Sequence, residues 1–136
     1  MPQPMKTTPI HPGGHPAPRG AYSPGVQVEL AGGTTILFAT GQLAVDPDGN
    51  VVAPFEAGAQ TEYVFQLIGS ILAAAGMDIS NVVRAQTFLT NMADFEKFSA
   101  VRNRYFGESR PASTLLEVKG LAREGCCVEI EVTAIR

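Results

Sequence analysis

The chain of 136 residues has no excess of positive charge, few histidines and only two cysteines. Ten lysines and arginines stand against thirteen aspartates and glutamates, which gives a formal net charge of −3. Nucleic-acid-binding proteins normally carry a basic patch, and no zinc-finger, RRM or KH spacing is present here. We therefore expect a protein that binds no nucleic acid.

The two cysteines, Cys126 and Cys127, are adjacent in a strand-like segment. Neighbouring side chains of a strand point to opposite faces, so the pair is poorly placed for a disulfide and suits a reducing compartment. The sequence also lacks the apolar core of a signal peptide and any apolar run long enough to span a membrane. These absences predict a soluble, cytoplasmic protein with no membrane partner.

Both histidines, His11 and His15, lie in the first 20 residues, which hold six prolines and three glycines. Two histidines four residues apart bind one metal ion only from a helix, and the prolines exclude a helix here. No third ligand is near, so we predict no metal site. Because no histidine lies elsewhere and no G-x-S-x-G motif is present, Ser113 is not expected to be a nucleophile.

The chain divides into an extended Pro/Gly-rich segment, residues 1–16, and a single domain, residues 17–136. Alternating and β-branched patterns predict five strands, at 26–30, 35–42, 81–91, 112–120 and 126–136. Helical spacing of apolar residues predicts helices at 57–75 and 93–106, the first ended by Gly76 and the second capped by Asp94.

The order β-β-α-β-α-β-β predicts an α+β fold, in which a mixed β-sheet carries two helices packed on one face. The strands contain too many apolar residues for the second face to be exposed to water. We therefore expect a partner subunit to cover it.

Several polar residues stand where strands begin or end. Thr40 and Gly41 lie at a strand end, where backbone N–H groups can hold an oxyanion. Tyr22 is either a packing aromatic or a lid over a site. Glu129 and Glu131 share one face of the last strand, as a solvated face or as a source of general acid/base chemistry. No phosphate loop or dinucleotide fingerprint appears.

Six stretches follow one another in a characteristic order: GAYSPGV, FATGQLAVDPDG, QTEYVFQLIGSILAAAGMDISNVV, TFLTNMADFEKF, RPAST and VEIEVTAI. From about residue 17 to the end, the chain thereby resembles the RidA (YjgF) family of enamine/imine deaminases. The resemblance implies a chorismate-mutase-like fold and a homotrimer with a central β-barrel and sites between subunits. It also implies hydrolysis of a small imine to a carbonyl compound and ammonia, with no metal or organic cofactor.

Carried over by position, the family's water-holding glutamate is Glu129 and its cleft tyrosine is Tyr22. Its strand-end hydroxyl and amide are Thr40 and Gly41. The family's Pro-Ala-Arg-Ser motif contributes an arginine that grips the substrate carboxylate, and this chain has Ser113 at that position. Losing such a charged, two-pronged contact would cost a small acid substrate roughly 2–5 kcal/mol of binding free energy.

Other positions of the implied site also differ from the family pattern. Ser99 and Arg102 replace an asparagine and a tyrosine on the second helix, and Leu115 replaces a cysteine after the motif. Arg102 either supplies a guanidinium from the opposite wall or is an ordinary exposed helix arginine. With Ser113 and Thr114, these residues are expected to select a substrate other than 2-aminoacrylate, such as an imine of the aminomuconate type.

Two other functions are considered beside the deaminase. A non-catalytic trimer that binds a small metabolite or a protein partner would keep Glu129 only as a polar strand residue. Ribonuclease activity, which has been attached to some relatives, has little support because the sequence has no basic groove and no histidine pair placed for RNA cleavage.

Overall fold

The computed structural model describes residues 5–136, so residues 1–4 of the predicted N-terminal segment lie outside the described residues. The strands are β1 (Lys6–Ile10), β2 (Gly25–Glu29), β3 (Thr35–Leu43), β4 (Val82–Leu89), β5 (Ala112–Glu117) and β6 (Val128–Ile135). The α-helices are α1 (Ala57–Ala74) and α2 (Phe95–Phe106), and two 3-10 turns lie at Ile79–Asn81 and Met92–Asp94. None of these helices is long and apolar enough to cross a membrane.

All six strands form one sheet in the order β1-β2-β3-β6-β4-β5. Neighbouring strands are antiparallel except β4 and β5, which are parallel and joined through α2. A parallel pair needs a crossover connection, and α2 supplies it. The predicted α+β fold with a mixed sheet is therefore confirmed, with β6 at its centre.

The sequence of α1 explains its position against the sheet. Its predicted apolar stripe is buried: Val64, Leu67, Ile68, Ile71, Leu72 and Ala75. The helix ends just before Gly76, as predicted, and the Gly76 φ of 71° is in the left-handed region. The Met77 N–H then donates to the Leu72 carbonyl at 2.9 Å, as in the usual glycine-terminated helix end.

Two predictions about the chain's elements were wrong. The structure has six strands, because residues 6–10 pair with β2 as an edge strand, where Pro9 is tolerated since one side of the backbone has no strand partner. Asp94 precedes α2, but its side chain makes no capping bond. Instead, the Asn91 side chain accepts a hydrogen bond from the Ala93 N–H, because the 3-10 turn begins before the helix does.

The face of the sheet opposite the helices is partly apolar and uncovered by the described residues. On this open face Phe38, Leu116 and Ile135 are 50, 46 and 41% exposed. The exposure of these side chains follows from strand alternation, because their neighbours along each strand point toward the helices. The open face is the surface on which a covering partner subunit is expected.

Candidate functional site

A β-bulge shapes the strand that carries Thr40 and Gly41. Ala39 of β3 pairs with Val132 and Gln42 pairs with Ile130, so two residues of β3 stand opposite one residue of β6. The Thr40 hydroxyl donates to the Ser23 carbonyl at 2.6 Å, and Gln42 Nε2 donates to the Thr40 carbonyl at 2.7 Å. These two side-chain hydrogen bonds therefore stabilise the conformation of the bulge.

Glu129 packs directly on the backbone of this bulge. A Cβ atom at Gly41 would lie 2.5 Å from Glu129 Oε2, so only glycine allows the carboxylate to approach this closely. Glu129 is half-buried, and within residues 5–136 its carboxylate has no hydrogen-bond or ion-pair partner. Burial, and secondly the charge of Glu131, raises the pKa of Glu129 above the ordinary glutamate value.

Three of the predicted residues line one cavity of about 450 Å³, here called the tyrosine cavity: Tyr22, Thr40 and Gly41. Tyr22 is 54% exposed, and its hydroxyl accepts a hydrogen bond from the Arg19 N–H at 3.4 Å. Arg19 and Arg123 also line this cavity, although no sequence motif marks them. The predicted lid and strand-end residues thus lie together.

Other predicted residues line a second cavity of about 420 Å³, here called the arginine cavity, between the end of α2 and the start of β5. Arg102 and Ser113 both line it. Ser99 is tied to this group because its hydroxyl oxygen accepts a hydrogen bond from Arg102 Nη2 at 2.9 Å. Thr114 is exposed and pairs with Gln86 on the open face, so it lies apart from this cavity.

Within one chain, Ser113 and Glu129 are too far apart to hold the same small molecule. Ser113 is aligned with Ala85, and through it with Val132, which is three residues along β6 from Glu129. Two strand spacings and three residue rises place the two Cα atoms about 14 Å apart. Ala85 and Val132 face the helices, whereas Glu129 lies on the open face, so the two side chains also point to opposite sides.

Within residues 5–136, no group of three or more His, Cys, Asp or Glu side chains is placed to hold a metal ion. The ring centres of His11 and His15 lie 6.2 Å apart. Burial lowers the pKa of His15, and the nearby charge of His11 lowers it further. Cys126 and Cys127 are buried free thiols, as predicted. Burial raises the pKa of Cys127 to about 11, so its thiol is protonated at neutral pH.

The architecture is that of a RidA-type protein. The solved structure of RidA from Psychrobacter sp. PAMC 21119 superposes with a TM-score of 0.80 at 31% sequence identity, covering 93% of this chain and 98% of that one. The family model described as Endoribonuclease L-PSP matches residues 13–136. The chain belongs to this family, the RidA/YjgF family, as its sequence motifs predicted.

Two curated relatives show the range of names within the family. The chain is 39% identical to Protein DfrA of Myxococcus xanthus over 126 residues, which cover 93% of each chain. It is 34% identical over 121 residues to the 2-iminobutanoate/2-iminopropanoate deaminase of Mus musculus, covering 89% of this chain and 85% of that one. Imine deaminase activity is therefore present among its relatives.

Proposed function

We propose that the protein hydrolyses a small imine, the tautomer of an enamine, to a carbonyl compound and ammonia. The observation that carries the proposal is the Glu129 carboxylate, which lies half-buried against Gly41 without a protein partner in residues 5–136. A half-buried, unpaired carboxylate of raised pKa is suited to accept a proton from water. The deaminase relatives support the same reaction class.

The chemistry requires one water molecule for each imine. Glu129 accepts a proton as the water oxygen bonds to the carbon of the protonated imine, which gives a neutral carbinolamine. Glu129 then returns this proton to the nitrogen. As the C–N bond breaks and ammonia leaves, the carboxylate accepts the hydroxyl proton, which gives the carbonyl product. Thr40 and Gly41 hold the polar end of the substrate, and Tyr22 covers the bound substrate. No step of this reaction requires a metal or an organic cofactor.

We further propose a homotrimer in which the arginine cavity of one subunit completes the Glu129 site of the next. The separation of Ser113 from Glu129 within one chain supports this arrangement. The apolar open face, with Phe38 and Ile135 exposed, would be buried between subunits. Light scattering is expected to give three times the 14.4 kDa chain mass, and a monomer would contradict an inter-subunit site.

Ammonia release from freshly generated imines tests the proposed reaction. The panel contains acidic, neutral and long-chain imines together with aminomuconate, each compared with its spontaneous hydrolysis. Enzyme-dependent release from at least one substrate is expected. If no substrate is hydrolysed above background while small acids still bind, the protein is the non-catalytic binding member of the family instead.

Replacing Gly41 by alanine is expected to lower kcat/KM for imine hydrolysis about 100-fold, because a displacement of about 1 Å in a catalytic group has that effect. The new Cβ would meet Glu129 Oε2 at 2.5 Å and push the carboxylate away. Gly69→Ala is the matched control, since a Cβ there has no atom within 4 Å. Equal activity of the two variants would show that the Gly41–Glu129 contact is not used.

Replacing Glu131 by glutamine is expected to move the acidic limb of the pH–activity profile to lower pH. Glu129 must be ionised to accept a proton, so activity falls as pH drops through its raised pKa. Removing the Glu131 charge lowers that pKa, while burial, the larger cause, still holds it above the ordinary value. If the acidic limb of the pH profile of kcat/KM does not move, a group other than Glu129 controls that limb.

A further inference from the structure

A second arginine lines the arginine cavity, and the family motif does not account for it. Arg110, directly before Pro111, lines the cavity together with Arg102 and Ser113. No acidic residue lines it. Ser113, which stands where the motif arginine is missing, thus shares its cavity with two arginines from different elements, α2 and the turn before β5.

Arg102 is held in place by its own helix. Its Nε donates to Asn103 Oδ1 at 3.0 Å, its Nη2 donates to Ser99 Oγ at 2.9 Å, and its guanidinium carbon lies 5.3 Å from the centre of the Phe98 ring. A guanidinium has five N–H donors, so most of them remain for a ligand. The one ion pair among residues 5–136 joins Arg104 to Glu62, which leaves Arg102 without a carboxylate partner.

Arg110 is positioned by an unusual backbone. Its φ of 44° is in the left-handed region, which a non-glycine residue adopts only where the surrounding structure imposes it. The turn before it is closed by Ser109, whose N–H and hydroxyl both donate to the Phe106 carbonyl, at 3.0 and 2.6 Å. The Arg110 guanidinium has no hydrogen-bond or ion-pair partner within residues 5–136.

Two unpaired positive charges that share one cavity repel each other, and a ligand with matching negative charges removes that repulsion. We propose that the arginine cavity binds a dicarboxylic acid, with one carboxylate on Arg102, the other on Arg110, and the Ser113 hydroxyl as an additional donor. One guanidinium matches one carboxylate through two parallel N–H bonds, so two guanidiniums select two carboxylates. The inference deepens the proposed function, on which it rests, by naming a dicarboxylic imine as its substrate.

Binding of unreactive acids tests the inference without requiring turnover. Glutarate and butyrate differ by one carboxylate, and calorimetry is expected to show that glutarate binds at least about tenfold more tightly. Arg102→Gln and Arg110→Asn should each remove most of this preference; asparagine is chosen because it tolerates the left-handed backbone. Thermal unfolding of both variants confirms that they are folded.

Arg84→Gln is the matched control. Arg84 is an exposed arginine of β4 that pairs with Ala112 beside the cavity but does not line it. Its replacement changes the net charge equally and is expected to leave glutarate binding unchanged. Equal affinity for glutarate and butyrate, or an equal loss in the Arg84 variant, would overturn the inference.

The two proposals fail in different ways. Ammonia release from monocarboxylic imines, without any glutarate preference, would keep the deaminase and overturn the dicarboxylate pocket. Glutarate preference that depends on Arg102 and Arg110, without ammonia release from any imine, would keep the pocket and overturn the deaminase.

Discussion

Replacing Glu129 by glutamine is expected to lower kcat/KM for imine hydrolysis about a thousandfold, within the range of effects of a positioned general base. Glutamine has nearly the same shape, so it keeps the packing against Gly41, but its amide cannot take a proton from water. The variant should therefore keep the fold and the oligomeric state of the unaltered protein. Ammonia release under single-turnover and steady-state conditions measures the loss at the chemical step.

Glu131→Gln is the appropriate comparison for this variant. Both glutamates lie on the same face of β6, two residues apart, but Glu131 pairs with Gln86 and only Glu129 packs on Gly41. The Glu131 variant should retain most of its activity at neutral pH. A thousandfold loss in the Glu131 variant with an active Glu129 variant would transfer the catalytic role to the other carboxylate.

Replacing Gln60 by methionine is expected to lower the free energy of unfolding by about 3–5 kcal/mol. The nitrogen of the fully buried Gln60 amide lies 3.1, 3.1 and 2.8 Å from the carbonyls of Val52, Ala53 and Gly125, so its two N–H groups are shared among three acceptors. The amide oxygen accepts a hydrogen bond from the Cys127 N–H at 2.8 Å. Without the amide, the Val52 carbonyl and the Cys127 N–H lose their partner, whereas the Ala53 and Gly125 carbonyls keep those of the Glu56 and Phe55 N–H groups. Each buried group left without a partner costs about 1–3 kcal/mol. Methionine has a similar length, so the loss reports the hydrogen bonds and not a cavity.

Thermal and denaturant unfolding at equal protein concentration measure this effect, with an expected fall in Tm of about 10–15 °C. Gln66→Met is the control, because Gln66 is exposed on the same helix and should change stability by less than about 0.5 kcal/mol. Loss of stability confined to the Gln60 variant supports the role of its amide. A Gln60 variant as stable as the control would show that the loop carbonyls find other partners.

Helix α1 and the alternating strands were predictable because the spacing of their apolar residues is a local pattern within one segment of the sequence. The edge strand β1 was missed because Pro9 argues against a strand unless the strand lies at a sheet edge, which depends on the whole topology. The bulge was signalled only by a glycine inside the strand pattern, at Gly41. The close contact of Gly41 with Glu129, 88 positions later in the sequence, required the pairing of β3 with β6.

The site was predictable in its parts and not in their grouping. Tyr22, Thr40 and Gly41 share a cavity as their proximity in sequence suggested. Ser113 and Thr114 are adjacent yet point to opposite faces, because strand alternation separates neighbours. Arg110 was not recognised as a site residue, since its position depends on a left-handed backbone that the sequence Arg-Pro does not indicate.

The central position of β6 has a consequence for how the chain is made. It is the last of the six strands to leave the ribosome, yet β3 and β4 both pair with it, so until then each has one unpaired edge. Stable folding therefore waits until β6 has been synthesised, and before that the nascent chain carries two edges open to non-native pairing. The strand that closes the core also carries Glu129, so a chain truncated before Val128 would lack both the central strand and the proposed catalytic residue. Such a truncation is therefore expected to give an unfolded chain and not a folded, inactive one.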